Sequence, residues 1–240
     1  MKLNKQVKFS AFGHFYQIQP TPDIMSFFLE KYKKFNIMPS LLQEVKVDNH
    51  NSNSTNRMGF FNQDGSKKFV ILSDRIDYEL IYSTDTQLTN NKIDEIIDEI
   101  VEVFSILDEA YHLKYNRIAV NAETFLVYQD EKEFSEIIKR FTTPIDFLNN
   151  NEYDEWTLHT LVRKNVNLND VSERCNIITN YTSSIFNKSN GSQVETNKGF
   201  VVHTDINTLS DNLVERFSHN VFRAFIEKAE EWMINSIEGL

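Results

Sequence analysis

The chain has 240 residues, of which 40% are apolar, and a formal net charge of −10 at pH 7. This length and composition are sufficient for a core of ordinary size, in one domain or in two closely packed halves. The acidic balance argues against a nucleic-acid partner, because affinity for phosphate comes mainly from clustered Lys and Arg. The single cysteine, Cys175, excludes an intramolecular disulfide and a cysteine-based metal cluster.

The N-terminal residues enter a strand pattern directly, without the apolar segment of a secretory signal. No apolar run approaches the ~20 residues that a membrane-spanning helix needs. We therefore expect a cytoplasmic protein without a membrane partner.

The first half begins with a predicted strand from Val7 to Gln19, which carries apolar residues on both faces. A helix follows, because Thr21 is a capping residue and Pro22 suits the first helical position. Asp23 then lies at the positive end of the helix dipole. We expect Pro39 to enforce the exit from this helix.

The second predicted strand spans residues 41–47. The Asn and Ser tract at residues 49–56 is too polar to pack, which predicts a loop. Asp64 and Gly65 readily adopt the positive φ angles of a tight turn, so the runs on either side of them predict a hairpin.

Strict alternation at residues 76–82 predicts another strand, and a long amphipathic helix then begins at Asn90 or Asn91. The outer face of this helix is acidic from Asp94 to Glu102. Such a face is typical of a solvated helix, and the alternative is a surface for a basic partner.

The second half repeats this order. A strand is predicted from Arg117 to Tyr128, and Asp130 with Glu133 forms a capping-box-like helix start. Asn190 and Gly191 offer a second hairpin turn. Two further strands are predicted in this half, at residues 156–166 and 174–186.

The closing unit runs from Gly199 to Ile237. Apolar residues alternate at 200–206, which predicts a strand with one buried face. Capping residues at 210–212 then predict a helix of more than six turns. Its apolar stripe is expected in the core and comprises Val214, Phe217, Val221, Phe225 and Trp232.

The halves thus share the order strand, helix, several strands and long helix. This pattern predicts an α+β fold of two similar halves, residues 1–112 and 113–240, that form antiparallel sheet or sheets covered by helices. The halves are expected to pack closely enough to count as one domain. The shared order indicates an internal duplication.

The sequence contains no P-loop, paired-histidine zinc motif or nucleophile elbow, and has only six glycines. We therefore predict no catalytic residue, cofactor or metal. His203 and Asp205 lie two apart on the closing strand and share a face, as a metal-binding or acid/base pair does. The preferred interpretation is that this face is exposed to solvent.

His14 lies on the first predicted strand among aromatic residues, and we expect a hydrogen-bonded core or edge histidine there. Glu44 interrupts an apolar strand, so it is either exposed or paired, with Arg57 or Arg117 as partners. Exposure is the preferred prediction. The candidates for a pocket are therefore His14, Glu44, His203 and Asp205.

Three segments carry a resemblance: "LLQEVKV" after Pro39, the central "YNRIAVNAETFL", and the closing "GFVVHTDINTLSDNLVERFSHNVFRAFIEKAEEWMINSI". Together they resemble a sporadically distributed family of bacterial proteins about 250 residues long, without established activity. Sporadic distribution implies horizontally transferred genes, such as those of phage defence or toxin-antitoxin systems. The resemblance supplies no catalytic residues.

We interpret the chain as a non-enzymatic binding or regulatory subunit with a protein partner. A partner with a basic surface and a second copy of the chain are both compatible with this interpretation. One alternative is a chaperone or adaptor that receives an extended peptide on a sheet edge. Another is an enzyme or small-ligand receptor with a pocket between sheet and long helix, where His14, Glu44 or His203 converge.

Overall fold

The structure is a computed structural model, and it describes residues 2–48, 51–82, 90–128, 130–142, 155–169, 171–190 and 193–238. No helix in these ranges is long and apolar enough to cross a membrane.

The fold is α+β. In the described ranges nine strands form one antiparallel sheet: β1 (Lys2–Phe12), β2 (Met38–Asp48), β3 (Asn51–Phe61), β4 (Lys67–Ile71), β5 (Arg75–Ile81), β6 (Arg117–Tyr128), β7 (Thr157–Leu168), β8 (Val171–Asn190) and β9 (Gln193–Thr208). The order across the sheet is β2-β3-β4-β5-β1-β6-β9-β8-β7. The strands of residues 1–112 therefore form one side of the sheet, and those of residues 113–240 form the other. The two sides meet where β1 pairs with β6.

The described α-helices all pack on one face of this sheet. They are α1 (Pro22–Tyr32), α2 (Asn90–Tyr111), α3 (Glu131–Thr142) and α4 (Phe222–Ile237). Their aromatic side chains meet those of the strands beneath: Phe104 of α2 and Phe222 of α4 both contact Phe9, with ring centroids 5.2 and 4.7 Å away. Phe134 of α3 contacts Phe200 at 5.0 Å.

The predicted start of α1 is confirmed. Thr21 Oγ1 accepts a hydrogen bond from the Ile24 backbone N–H, and Pro22 is the first helical residue. The predicted role of Pro39 is wrong, because the chain already leaves helical geometry at Asn36. This residue has a φ of 59° and caps the short 3₁₀ helix (Lys33–Phe35) that follows α1.

The hairpin at Asp64 and Gly65 is confirmed, with Gly65 at a φ of +72° between β3 and β4. The predicted loop at 49–56 is wrong for residues 51–56, which belong to β3 and pair with β2 along their whole length. Residues 49 and 50 lie outside the described residues. Polar side chains are tolerated at residues 52–56 because β4 joins β3 only from Met58 onward, which leaves a two-stranded arm.

A second two-stranded arm, formed by β8 and β9, lies on the other side of the sheet from β2 and β3. β8 and β9 pair as far as Asn190 and Gln193, whereas β7 pairs with β8 only up to Thr182. Of the predicted turn at Asn190 and Gly191, the glycine lies outside the described residues.

The predicted start of the closing helix is wrong. The α-helix begins at Phe222, after a 3₁₀ turn (His219–Val221), and not at residues 210–212. The cause is a competing backbone pairing with Tyr115, which lies in the segment that connects the two halves. The Phe217 N–H donates to the Tyr115 carbonyl, and the Phe217 carbonyl accepts from the Tyr115 N–H. Val214 is consequently exposed. The burial predicted for Phe217, Val221, Phe225 and Trp232 is confirmed.

Candidate functional site

The sheet face opposite the helices is uncovered in the described part of the chain, and it is predominantly polar at its centre. Alternation along each strand directs Phe200, Val202 and Ile206 of β9 into the core. The intervening residues of β9, including His203 and Asp205, lie on the uncovered face. Register then aligns Asn121 and Glu123 of β6 beside them.

The carboxylates at the centre of this face are held by contacts both between strands and within β9. Asp205 Oδ1 accepts hydrogen bonds from Asn121 Nδ2 at 2.7 Å and from Asn207 Nδ2 at 3.0 Å. Glu123 Oε2 lies 3.3 Å from His203 Nε2. These side chains are therefore oriented before any ligand arrives.

A second set of cross-strand hydrogen bonds on this face lies in the first half, between β1 and β5. Ser10 Oγ donates to Asp77 Oδ1 at 2.7 Å, and Gln6 Nε2 donates to Glu79 Oε1 at 2.9 Å. Lys8 lies between these rows, and among the described residues no hydrogen bond or ion pair holds its ammonium. Its three donors are available to an incoming acceptor.

A shallow depression of about 310 Å³ marks the centre of the face. The side chains lining it include Gln6, Lys8, Asn121, Glu123, Asn180, His203 and Asp205. It offers hydrogen-bond donors and acceptors but no aromatic wall, whereas small-molecule pockets are lined mainly by apolar and aromatic groups. Among the described residues, no group of three or more His, Cys, Asp or Glu side chains is arranged to hold a metal ion.

The structure brings together two of the four predicted candidates, His203 and Asp205. The predicted solvent exposure of this face is confirmed, since the His203 side chain is 51% exposed. Sequence reasoning missed Glu123 and Lys8. The sequence did signal that Glu123 lies on the same side of β6 as the polar Asn121. That His203 is its neighbour on β9 could be identified only from the strand register.

His14 and Glu44 do not join this site. His14 is exposed in the connection after β1, which ends at Phe12, so the predicted core or edge position is wrong. The predicted convergence of these residues with His203 between sheet and helix is not observed, because His203 lies on the uncovered face.

Glu44 is not exposed as preferred from the sequence, and its alternative partner Arg57 is the one observed. Its carboxylate lies 2.8 Å from Arg57 Nε and accepts from Ser73 Oγ at 2.7 Å. Burial acts to raise the pKa of Glu44, but the hydrogen bonds from Ser73 and Arg57 outweigh it and hold the pKa below its ordinary value. The Arg57 side chain is only 1% exposed, so this pair is structural.

A second polar cluster was not predicted. Asp108 near the end of α2 accepts from the buried Tyr115 hydroxyl at 2.8 Å and lies 2.6 Å from His219 Nδ1. Burial, followed by the Asp108 charge, raises the pKa of Tyr115. The cluster joins elements far apart in sequence and has no local motif.

Cys175 is buried. Burial, with a smaller contribution from the Glu173 charge, raises the pKa of its thiol to about 12. The thiol is therefore protonated and unreactive at neutral pH.

The acidic face of α2 is largely paired with the protein's own cations. Glu99 binds Lys67 at 2.7 Å, Asp98 contacts Arg223 and Glu102 contacts Lys34. These contacts reduce the charge available to a basic partner at this face.

No protein-family model, curated protein or solved structure was found to match this chain.

Proposed function

We propose that the protein is a non-enzymatic binding subunit that recognises a protein partner with the uncovered face of its sheet. The observation that carries this proposal is two sets of contacts, one between β1 and β5 and one between β6 and β9, which orient polar side chains on a face that no described helix covers. The chemistry is that of recognition, because donors and acceptors are fixed and spread over several strands.

The size of the face supports a macromolecular ligand. Nine strands about 4.8 Å apart give a face roughly 38 Å wide, and six residues per strand give about 20 Å in the other direction. The product approaches the ~800 Å² that each partner buries in a standard protein interface. The depression of about 310 Å³ is small and shallow by comparison.

The charges on the face favour protein over nucleic acid. Cations such as Lys68 and Arg75 are paired with Glu79 and Asp77 at 3.1 Å. Binding to phosphates needs an excess of free Lys and Arg, and the whole chain has a charge of −10. A protein surface with both donors and acceptors is the matching partner.

The resemblance to a sporadically distributed bacterial family supports assignment of this subunit to a phage-defence or toxin-antitoxin-like system. A cytoplasmic location is part of the same proposal. Both are tested by the identity of the partner.

The central test uses His203→Glu, which places a second carboxylate beside Glu123 and changes the exposed centre of the face. His14→Glu is the matched control, because it makes the same change at an exposed histidine outside the face. Partners are cross-linked in cells of the source organism and identified by mass spectrometry. We expect His203→Glu to reduce capture of a specific protein about tenfold, the loss expected from one disrupted interface charge contact.

An unchanged capture profile in His203→Glu would remove the uncovered face from the proposal. If His203→Glu keeps the partner and His14→Glu loses it, the interface lies instead near His14, beyond the C-terminal end of β1. Equal melting temperatures of the two variants and the wild type confirm that the comparison reports binding.

A small polar ligand is the second candidate, favoured by the depression itself and by Lys8 within it, which no described residue pairs. Native mass spectrometry of the purified protein tests this option. A retained metabolite that Lys8→Ala releases would support it, and the same metabolite retained in Lys8→Ala would contradict it. A chaperone or adaptor that binds an extended peptide is tested by aggregation of an unfolded client, which an active chaperone must slow.

We also propose that the two halves arose by duplication. Each half has a first strand, a helix and a run of antiparallel strands whose last member pairs with the first, as β5 pairs with β1 and β9 with β6. Superposition of β1, β5 and α2 on β6, β9 and α4 tests this, since a true repeat must also superimpose α1 on α3.

A further inference from the structure

The charge of the uncovered sheet face differs from that of the chain as a whole. The whole chain is acidic, with a formal net charge of −10. The carboxylates described above on this face already contact other side chains of the protein: Asp77 contacts Arg75, Glu79 contacts Lys68, Glu123 contacts His203, and Asp205 contacts Asn121 and Asn207. These negative charges are therefore engaged within the protein before a partner arrives.

Three cations on the same face have no carboxylate partner among the residues that the structure describes: Lys8, Arg117 and Arg163. Strand register places all three on this face. Lys8 stands opposite Glu79, but that carboxylate is bound to other side chains. Arg163 Nε donates to the Asn176 amide oxygen at 3.2 Å, a contact that leaves its charge unneutralised. An acidic chain thus presents free positive charge on this face.

Arg117 is the most constrained of these cations. It begins β6, and its guanidinium lies over the Phe12 ring, 4.7 Å from the centroid. The residue is half-buried, and its Nε is buried with no hydrogen-bond partner in the described part of the chain. Buried polar atoms in native proteins almost always have a partner, so this one calls for an explanation. On the other side of Phe12 the register places Arg75, a second cation and not a counter-ion.

We propose that this face binds an acidic segment of the protein partner, with one carboxylate held by the Arg117 guanidinium as the anchor. This inference rests on the proposed function and names the chemistry of the partner. Contact with Phe12 fixes the plane of the guanidinium, and a planar fork of donors matches the two oxygens of a carboxylate. Arginine is also enriched among the residues that dominate the binding energy of protein interfaces.

Lys8 sets the position of a second acidic residue. It lies four residues from Phe12 along β1 and one strand from Arg117, which separates the two cations by about 14 Å at Cα. In an extended segment, residues i and i+4 share a face and lie about 13 Å apart, so acidic residues at these positions reach both cations. Three scattered cations do not form the dense basic patch that a phosphate backbone needs, which favours protein as the acidic ligand.

The test is fluorescence anisotropy with a fluorescein-labelled peptide of alternating Glu and Thr, which presents carboxylates along one face when extended. A peptide of alternating Gln and Thr is the neutral control, and a single-stranded oligothymidylate represents nucleic acid. At low salt we expect the wild type to bind the Glu/Thr peptide about tenfold more tightly than the Gln/Thr peptide, because the carboxylates supply the attraction. Added salt should weaken this binding.

Arg117→Gln should raise the dissociation constant of the Glu/Thr peptide about tenfold, the effect of one lost charge contact. Arg117→Lys keeps the charge but loses the planar fork, so it should recover only part of the affinity. Lys132→Gln is the charge-matched control on exposed α3 and should leave binding unchanged. Arg117→Gln should not lower the melting temperature, because Arg117 holds no hydrogen bond or ion pair among the described residues, whereas loss of a structural arginine would lower it.

No binding of the Glu/Thr peptide, equal binding of the Gln/Thr peptide, or binding that survives Arg117→Gln overturns this inference. Tighter binding of the oligothymidylate also overturns it and reassigns the face to nucleic acid. Partner capture with His203→Glu tests the proposed function separately. A captured partner whose binding is insensitive to Arg117→Gln removes the acidic anchor and leaves the proposed function standing, whereas peptide binding through Arg117 without a captured partner supports the carboxylate site and removes only the proposed function.

Discussion

Asp108 Oδ2 lies 2.6 Å from His219 Nδ1, across 111 residues of sequence, and accepts the His219 backbone N–H at 3.1 Å. Its other oxygen accepts the Tyr115 hydroxyl. One carboxylate thus fixes α2, the connection between halves and the turn before α4. This cluster carries no proposed ligand and acts as an internal clamp.

Replacement of Asp108 by Ala should destabilise the protein by about 2 to 4 kcal/mol, because the fully buried Tyr115 hydroxyl loses its acceptor. The measurement is urea denaturation monitored by Trp fluorescence. Glu109→Ala, at the exposed neighbouring position, should change stability by less than about 0.5 kcal/mol. Similar losses in both variants would contradict the clamp.

The buried tyrosines predict an alkaline instability. Burial raises the pKa of Tyr32 and Tyr115, as does the charge of nearby Asp108, so the folded state retains protons that the unfolded state releases above its own tyrosine pKa. The contribution of these tyrosines to the free energy of unfolding is therefore fully present below pH ~10. Above that pH the free energy of unfolding falls by about 1.4 kcal/mol per pH unit for each such tyrosine.

Denaturant titrations at several pH values above 9 measure this slope. Tyr115→Phe should lower stability at neutral pH through the lost hydrogen bond, but should also reduce the alkaline slope. Tyr16→Phe is the control at an exposed tyrosine. A slope identical in wild type and Tyr115→Phe would show that Tyr115 ionises equally in both states.

Glu44 is expected to stabilise the β2–β3 arm, where it joins the rest of the sheet, through its ion pair with Arg57. Glu44→Ala should cost about 3 to 5 kcal/mol, because it leaves a buried guanidinium without its partner. Glu30→Ala, exposed on α1, is the control. Since the pKa of Glu44 is lowered in the folded state, its contribution is present above the unfolded pKa and is lost as pH falls through the folded pKa. The penalty of the variant should accordingly shrink in acid, and a constant penalty would contradict this account.

Phe225→Ala should cost about 3 to 5 kcal/mol, since Phe225 of α4 is fully buried and its removal leaves a cavity. Phe27→Ala is a matched control on α1, where the ring is 40% exposed and the expected loss is smaller. An unchanged melting temperature in Phe225→Ala would mean that α4 is not packed on the core in solution.

Local signals predicted much of the fold, and the failures have a common cause. Thr21 with Pro22, and Asp64 with Gly65, act within a few residues, so their structures follow from sequence. Residues 51–56 become a strand because β2 supplies their backbone hydrogen bonds. The 210–218 segment is non-helical because Phe217 forms backbone hydrogen bonds with the distant Tyr115.

The candidate site was predicted to the same extent. His203 and Asp205 share a face by strand periodicity alone, which the sequence contains. Glu123 and Lys8 join them only through the register of β6, β1 and β9, and register depends on pairing between distant segments.

The contact between Phe9 and Phe222 bears on the order in which the chain is synthesised. β1 leaves the ribosome before α4, and although Phe104 of α2 also contacts Phe9, the Phe222 ring follows only more than two hundred residues later. The first half can pair its strands and pack α1 and α2 early, but the part of its apolar face that Phe222 covers stays open until α4 has emerged. We expect slow maturation, with the nascent chain dependent on holding factors, and ribosome-bound chains stalled before residue 222 should be more sensitive to protease than those stalled after α4 has cleared the exit tunnel.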